Sequence, residues 1–310
     1  MMPVLSTVQR RVRTAAAVAL MAAIAPSMAL AADLSGTLKK VKDDGIVVVG
    51  FREASIPFSY YNDAKQPIGY SIDFTNLILD GIRKQVNAPD LKVRWLPITS
   101  QNRISLLQNG TIDFECTTTT HNASREQQVD FSNSLFIIGT RLMTKKDSGI
   151  KDFADLKGQT VVVGAGTTSE VLLRKLNVDQ KMDMRIISAK DHAESSLTLS
   201  TGRAKAMMMD DALLAGERAK LSDPKDYVIT GKPQSYEAYG CMVRKGDAEM
   251  KKLLDDVIAQ TETSGKGEAI YKKWFMSPIP PKNLNLDFAM SEAMQHLFAH
   301  PNAKIDPEAK

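Results

Sequence analysis

Short apolar runs of strand length alternate with stretches whose apolar residues return at helical spacing, and this alternation covers most of the chain. Ile46-Val47-Val48-Val49-Gly50 is a β-branched run that predicts a buried strand. Ile72, Leu79, Ile82 and Val86 share one face of a helix over Ser71–Val86. Val93–Leu96 reads as the next strand. Ser100 stands as an N-cap before Ile104, Leu106 and Leu107, with Asn109-Gly110 as the stop and Thr111–Phe114 as a further strand. The pattern restarts in mid-chain with a short helix over Asp152–Leu156, a strand at Thr160–Val163 and a helix carrying Val171, Leu172, Leu173 and Leu176. A strand at Met184–Ile187, a helix capped by Asp191 and running through Leu199, a strand at Ala206–Met209 and a helix over Ala212–Ala219 follow. A last strand, Tyr239–Val243, precedes helices near Glu249–Gln260 and Gly267–Phe275, and the segment after Met276, with Pro278, Pro280 and Pro281, predicts an extended strap.

Strands alternating with helices predict an α/β fold with mostly parallel sheets. The two sets meet near Gly139–Leu142, and the chain returns near Tyr236–Gly240, which predicts two lobes with a double crossover: residues 32–139, then 140–236, then 237–310 back in the first lobe. Ahead of them, Arg10, Arg11 and Arg13, an apolar run from Ala15 to Ala25 and the small-residue site Ala29-Leu30-Ala31 have the pattern of a secretory signal peptide cut after Ala31. The apolar run is short of the roughly 20 residues that span a bilayer. The expected compartment is therefore outside the cytoplasm.

The whole chain carries a formal charge of +4, and loss of the leader brings it close to neutral. That balance gives no reason to expect nucleic acid or a membrane surface as partner. Cys116 and Cys241 are the two cysteines. In an oxidising compartment they form a candidate disulfide closing a loop of about 125 residues, with two separate buried thiols as the other reading. No cluster has metal-ligand spacing, and Gly164-Ala165-Gly166 lacks the remainder of a nucleotide-binding fingerprint, so no metal or cofactor is expected.

In open α/β sheets, ligands sit beyond the carboxyl ends of the strands. The residues just past the expected strands are Arg52, Ser100 and Arg103, Thr117 to Thr120, Thr167 and Thr168, Asp191 and His192, and Asp210. Cations, hydroxyls and one carboxylate make an inventory suited to a small zwitterion with extra negative charge.

At these residues the chain resembles the periplasmic solute-binding proteins of ABC transporters for polar amino acids, family 3. Gly69-Tyr70-Ser71-Ile72-Asp73-Phe74 resembles the family signature, with Ser71 where Asp is usual. Thr120 to Glu126 followed by Val129-Asp130-Phe131-Ser132 resembles its carboxylate-binding motif. Phe58–Tyr61, Pro97–Arg103, Phe114–Cys116, Ile187–His192, Met209–Leu214 and Glu237–Cys241 are similar to the branch that binds glutamate and aspartate, with Thr118 where Ser is usual.

The resemblance implies the two-lobed type II periplasmic binding-protein fold with two hinge crossovers, glutamate or aspartate as ligand, delivery to ABC transporter permease subunits, and a monomer. It implies that Arg125, Thr120 and Thr168 hold the α-carboxylate and that Asp210 and Thr118 hold the α-ammonium. Arg52, Ser100, Arg103 and His192 would hold the side-chain carboxylate, His192 in its protonated form among the options. A Cys116–Cys241 bridge would brace the hinge. An alternative is a periplasmic dehydratase-like enzyme on the same fold, for which Glu115 is the nearest candidate acid.

Overall fold

A computed structural model describes residues 34–302. The expected leader, residues 1–31, lies outside the described residues. The chain forms α1 (Gly36–Asp44), β1 (Ile46–Phe51), β2 (Ala54–Ser55), β3 (Ser59–Tyr61), β4 (Pro67–Ile68), α2 (Tyr70–Gln85), β5 (Lys92–Pro97), α3 (Arg103–Gln108), β6 (Phe114–Glu115), α4 (Ala123–Glu126) and β7 (Val129–Lys145). It continues with β8 (Thr160–Gly164), α5 (Thr168–Asp179), β9 (Arg185–Ala189), α6 (His192–Ser200), β10 (Ala206–Asp210), α7 (Asp211–Lys220), β11 (Tyr227–Thr230), β12 (Tyr236–Arg244), α8 (Ala248–Thr263), α9 (Lys266–Phe275) and α10 (Glu292–Ala299).

The main sheet has the order β5-β1-β6-β12-β7-β10-β8-β9, with β11 also on β7. It is a mixed sheet in two halves. In one, β1 runs parallel to β5 and β6. In the other, β8 runs parallel to β9 and β10. The 17-residue β7 belongs to both halves: Val129 to Gly139 pair with β12, whereas Thr140 to Thr144 pair with β10. Two passages therefore join the halves, one inside β7 and one between β11 and β12.

A ring of aromatic contacts holds the first half together. Phe58 meets Tyr70, Phe136, Tyr239 and Phe275 edge-on at centroid distances of 4.9–5.8 Å. Edge-to-face packing of this kind is favoured by the ring quadrupoles. It ties the β2–β3 turn, α2, β7, β12 and α9 to one centre. Gly69 makes the approach feasible: its φ is +137°, and a Cβ there would lie 2.1 Å from the Phe58 carbonyl oxygen. Cys116 and Cys241 are joined by a disulfide across 125 residues of chain. By loop-closure entropy such a link stabilises by about 4–5 kcal/mol.

Several expectations need correction. Ser100 is not a cap: α3 begins after Asn102, whose Oδ1 accepts from the Thr99 N–H, and the Ser100 hydroxyl accepts from Arg52 instead. The strand expected over Thr111–Phe114 is confined to Phe114–Glu115, because turn bonds from Thr111 N–H to Asn109 Oδ1 and from Ile112 N–H to the Leu106 carbonyl hold the preceding residues. Asp152–Leu156 is a 3₁₀ turn over Phe153–Leu156 with a capping box from Asp152. The strap after Met276 ends in α10, which Ser291 caps and whose Met294, Leu297 and Phe298 are buried.

Glu262, near the end of α8, is 3% exposed, and neither carboxylate oxygen has a hydrogen-bond partner among the described residues. Burial pushes its pKa up to about 9. The unfolded chain releases this proton in the ordinary carboxylate range, so the folded state holds more protons between about pH 4.5 and pH 9. Its contribution to stability is fully present below that window and is lost as pH rises through it. Glu262→Gln is expected to stabilise the protein more at about pH 8 than at about pH 5. Denaturant titrations at the two pH values measure the difference, and an equal effect at both contradicts the assignment.

Candidate functional site

The carboxyl ends of β1, β6, β8, β9 and β10 converge, and the polar residues read from the sequence sit just beyond them. Of the residues singled out, Arg52, Ser100, Arg103, Thr117 to Thr120, Arg125, His192 and Asp210 are buried, and Thr167, Thr168 and Asp191 are half-buried.

Arg52 is locked at the end of β1 by a reciprocal pair of bonds. Its N–H donates to Ser59 Oγ, and that hydroxyl donates back to the Arg52 carbonyl, both at 2.9 Å. Its Nη1 donates to Ser100 Oγ at 2.8 Å. Arg103, at the start of α3, donates through Nη1 to the Thr118 carbonyl at 3.2 Å and to Thr119 Oγ1. The Thr119 hydroxyl donates in turn to Glu115, which also accepts from Thr117. Glu115 thus acts as an inner counter-charge reached through a threonine. The Nε of Arg103 is buried with no hydrogen-bond partner among the described residues. Arg125 is held by the one-turn α4, where Asn122 Oδ1 accepts the Arg125 N–H at 3.0 Å, and its Nη1 donates to the Thr120 carbonyl at 2.7 Å.

The second half supplies helix starts. Thr167 caps α5, accepting from the Glu170 N–H and donating to the Gly164 carbonyl. Asp191 caps α6, accepting from the Glu194 N–H. Thr168 and His192 are accordingly the first residues of their helices. Asp210 ends β10 but caps nothing; its oxygens accept from Tyr239 and, at 3.4 Å, from Ser169.

Several contacts join the halves across this region, among them the Tyr239–Asp210 bond already described. Ser55 Oγ lies 3.2 Å from His192 Nδ1, and Thr120 Oγ1 lies 3.5 Å from Thr168 Oγ1. On α7, Gly216 lies so close to the loop after β2 that a Cβ there would come within 2.2 Å of the Ile56 carbonyl oxygen.

Burial dominates the electrostatics. It lowers the Arg52 pKa to about 10 and that of Arg125 to about 9, with Arg103 adding repulsion to both. All three guanidinium groups still keep their charge at neutral pH. Burial, followed by the Arg52 charge, holds His192 well below the ordinary imidazole range. This corrects the option of a protonated His192: the ring is neutral, so it offers one N–H donor and one acceptor. Asp210 is pushed up to about 8, first by burial and then by Glu237.

Glu237 is the principal residue that the motif reading left without a role. It lies on β12 and accepts from Thr120 and Thr168. Tyr239, Ser169 and Ser55 were likewise not singled out. The run Glu237–Cys241 was a visible signal, but its contacts come from segments far away in sequence.

Comparison with known proteins agrees with this architecture. Residues 47–277 match the bacterial extracellular solute-binding proteins, family 3. The chain is 58% identical over 288 residues to the glutamate/aspartate import solute-binding protein of Escherichia coli (strain K12), covering 93% of this chain and 95% of that protein. It is 55% identical over 287 residues to the L-glutamate/L-aspartate-binding protein of Pseudomonas aeruginosa, covering 92% and 95% respectively. The solved structure of the P235GK mutant of ArgBP from T. maritima superposes with a TM-score of 0.68 at 26% identity, over 77% of this chain and 99% of that one. With a family match over residues 47–277 and relatives more than half identical over most of its length, this chain belongs to the bacterial extracellular solute-binding proteins, family 3.

Proposed function

We propose that this protein is the extracytoplasmic binding component of an ABC importer, which takes glutamate or aspartate between two lobes and hands it to the permease as a monomer. The observation that carries the reading is the set of three buried guanidinium groups, Arg52, Arg103 and Arg125, two of which, Arg103 and Arg125, feel the charge of Asp210. Relatives more than half identical to the chain carry glutamate and aspartate in their names and act in transport, not catalysis. Glu115, which a dehydratase reading needs as a free acid, has its oxygens taken by the Thr117 and Thr119 hydroxyls.

In this reading the lobes are residues 32–139 with 237–310, and 140–236, and the hinge passes through β7 and the β11–β12 connection. The leader over residues 1–31 is removed on export to the periplasm. Arg125, Thr120 and Thr168 take the α-carboxylate, and Asp210 with Thr118 takes the α-ammonium. Arg52, Ser100, Arg103 and neutral His192 take the side-chain carboxylate. The disulfide anchors the middle of the return strand β12, at Cys241, to Cys116, just before the loop that carries Thr117 to Thr120.

The specificity follows from charge. A buried guanidinium facing an anion gains a charge-assisted bond, whereas the same group facing a neutral amide is left short of an anion. Arg103→Ala is therefore expected to cost glutamate roughly a hundredfold or more in affinity and glutamine far less. Titration calorimetry with glutamate, aspartate and glutamine checks this, and equal losses for glutamate and glutamine remove Arg103 from the ligand-binding set.

Asp210 gives a pH signature. Its carboxyl holds a proton up to about pH 8, and an ammonium group beside it favours the ionised form. Binding at about pH 7 is then expected to release a proton, and affinity to rise as pH approaches 8. Calorimetry in buffers of different ionisation enthalpy measures the proton count, and Asp210→Asn should abolish the release.

A further inference from the structure

Glu237 sits on β12 just past the return passage and is 7% exposed. Its Oε2 accepts from Thr120 Oγ1 at 2.5 Å and from Thr168 Oγ1 at 2.7 Å, and its Oε1 accepts from Ser235 Oγ at 3.0 Å. The two hydroxyls on Oε2 come from opposite halves of the molecule: Thr120 from the loop after β6, Thr168 from the first turn of α5. A hydroxyl carries a single proton. A proton directed at Glu237 is not available to any other anion, and both of these hydroxyls direct theirs at the same carboxylate oxygen.

The surrounding charges make Glu237 a member of the same electrostatic cluster. Arg125 and Arg103 feel its attraction, from α4 and α3 respectively, and Asp210, at the end of β10, feels its repulsion. A ligand carboxylate placed against Arg125, Thr120 and Thr168 would meet a second carboxylate already drawing on the same donors.

We propose that Glu237 sets the affinity of the cleft by competing with the ligand's α-carboxylate for the hydroxyl protons of Thr120 and Thr168. The inference deepens the reading above and rests on its assignment of those two threonines to the α-carboxylate. Glu237 acts as a cross-lobe clasp. The incoming amino acid takes over the two donors, so the ligand replaces one bridge between the lobes with another. Affinity is held below what the donors alone allow, a property suited to a carrier that must also let its cargo go.

The test is calorimetry of L-glutamate binding to the mature protein and its variants. Glu237→Gln keeps the size of the side chain and removes the charge, and it is expected to bind glutamate about tenfold tighter, equivalent to about 1.4 kcal/mol. Glu237→Asp, which draws the carboxylate back from the hydroxyls, is expected to bind more tightly than wild type by a smaller factor. It decides the matter alone if the glutamine variant does not unfold cooperatively. Thr168→Val is expected to cost more affinity in the Glu237→Gln background than in wild type, since the released proton is then given to the ligand. Affinity that is unchanged or weaker in the Glu237 variants overturns the inference, because a merely structural residue loses affinity when altered and does not gain it. Arg103→Ala is run alongside. If it binds glutamate like wild type, the ligand reading has failed. If it loses binding while the Glu237 variants gain nothing, only the competition has failed.

Discussion

Three guanidinium groups withdrawn from water in one region have to be met by anions or oriented dipoles, and most of the local structure answers that requirement. Unpaired, a buried charge costs several kcal/mol, and Arg52, Arg103 and Arg125 also repel one another. The molecule spreads the compensation. Arg103 reaches Glu115 through Thr119, Arg125 is seated on the Thr120 carbonyl, and Arg52 leans on Ser100. The Thr119 hydroxyl serves as a relay because it accepts from the Arg103 guanidinium and donates to the Glu115 carboxylate at the same time.

The scaffold keeps those groups in place. The aromatic ring around Phe58 fixes Tyr239, and Tyr239 reaches across to Asp210. A core contact in one half thereby positions a charged group in the other. β7 continues through both halves without a break, so the two sheets share a strand, and the narrow connection is confined to two passages. Such a connection allows rotation of one half against the other with few backbone torsions changing. The contact between Gly216 and the Ile56 carbonyl shows how close the halves lie here.

In the proposed reading, the site discriminates by balance of charge more than by shape. The cations exceed what Glu115 alone compensates, Asp210 is kept protonated at neutral pH first by burial and then by Glu237, and His192 is neutral beside two arginines. An acidic amino acid brings two carboxylates and one ammonium group, which is the complement of that arrangement. Glu237 belongs to the same balance. By drawing on Thr120 and Thr168 it supplies negative charge where the ligand would otherwise supply it.

The elements carried by local periodicity were legible in the chain: β1, α2, β8 and β10 lie within a residue or two of where alternation and helical spacing place them. The list of polar residues past each strand was also legible, because strand ends and helix caps are local features. The motif resemblance supplied roles for those residues that no spacing could. What the chain concealed is non-local. α1 and α10 bury only a few apolar residues each, too few to show a period, and β7 appears as a mixed run whose pairing changes midway. The neutrality of His192, the Glu115 relay, the Tyr239–Asp210 bond and the hold of Glu237 on two threonines were decided only by the tertiary structure. The physical reason is that protonation and hydrogen-bond direction depend on dielectric surroundings and neighbouring charges, and those are set by residues far apart along the chain, as Ser55 and His192 are 137 positions apart.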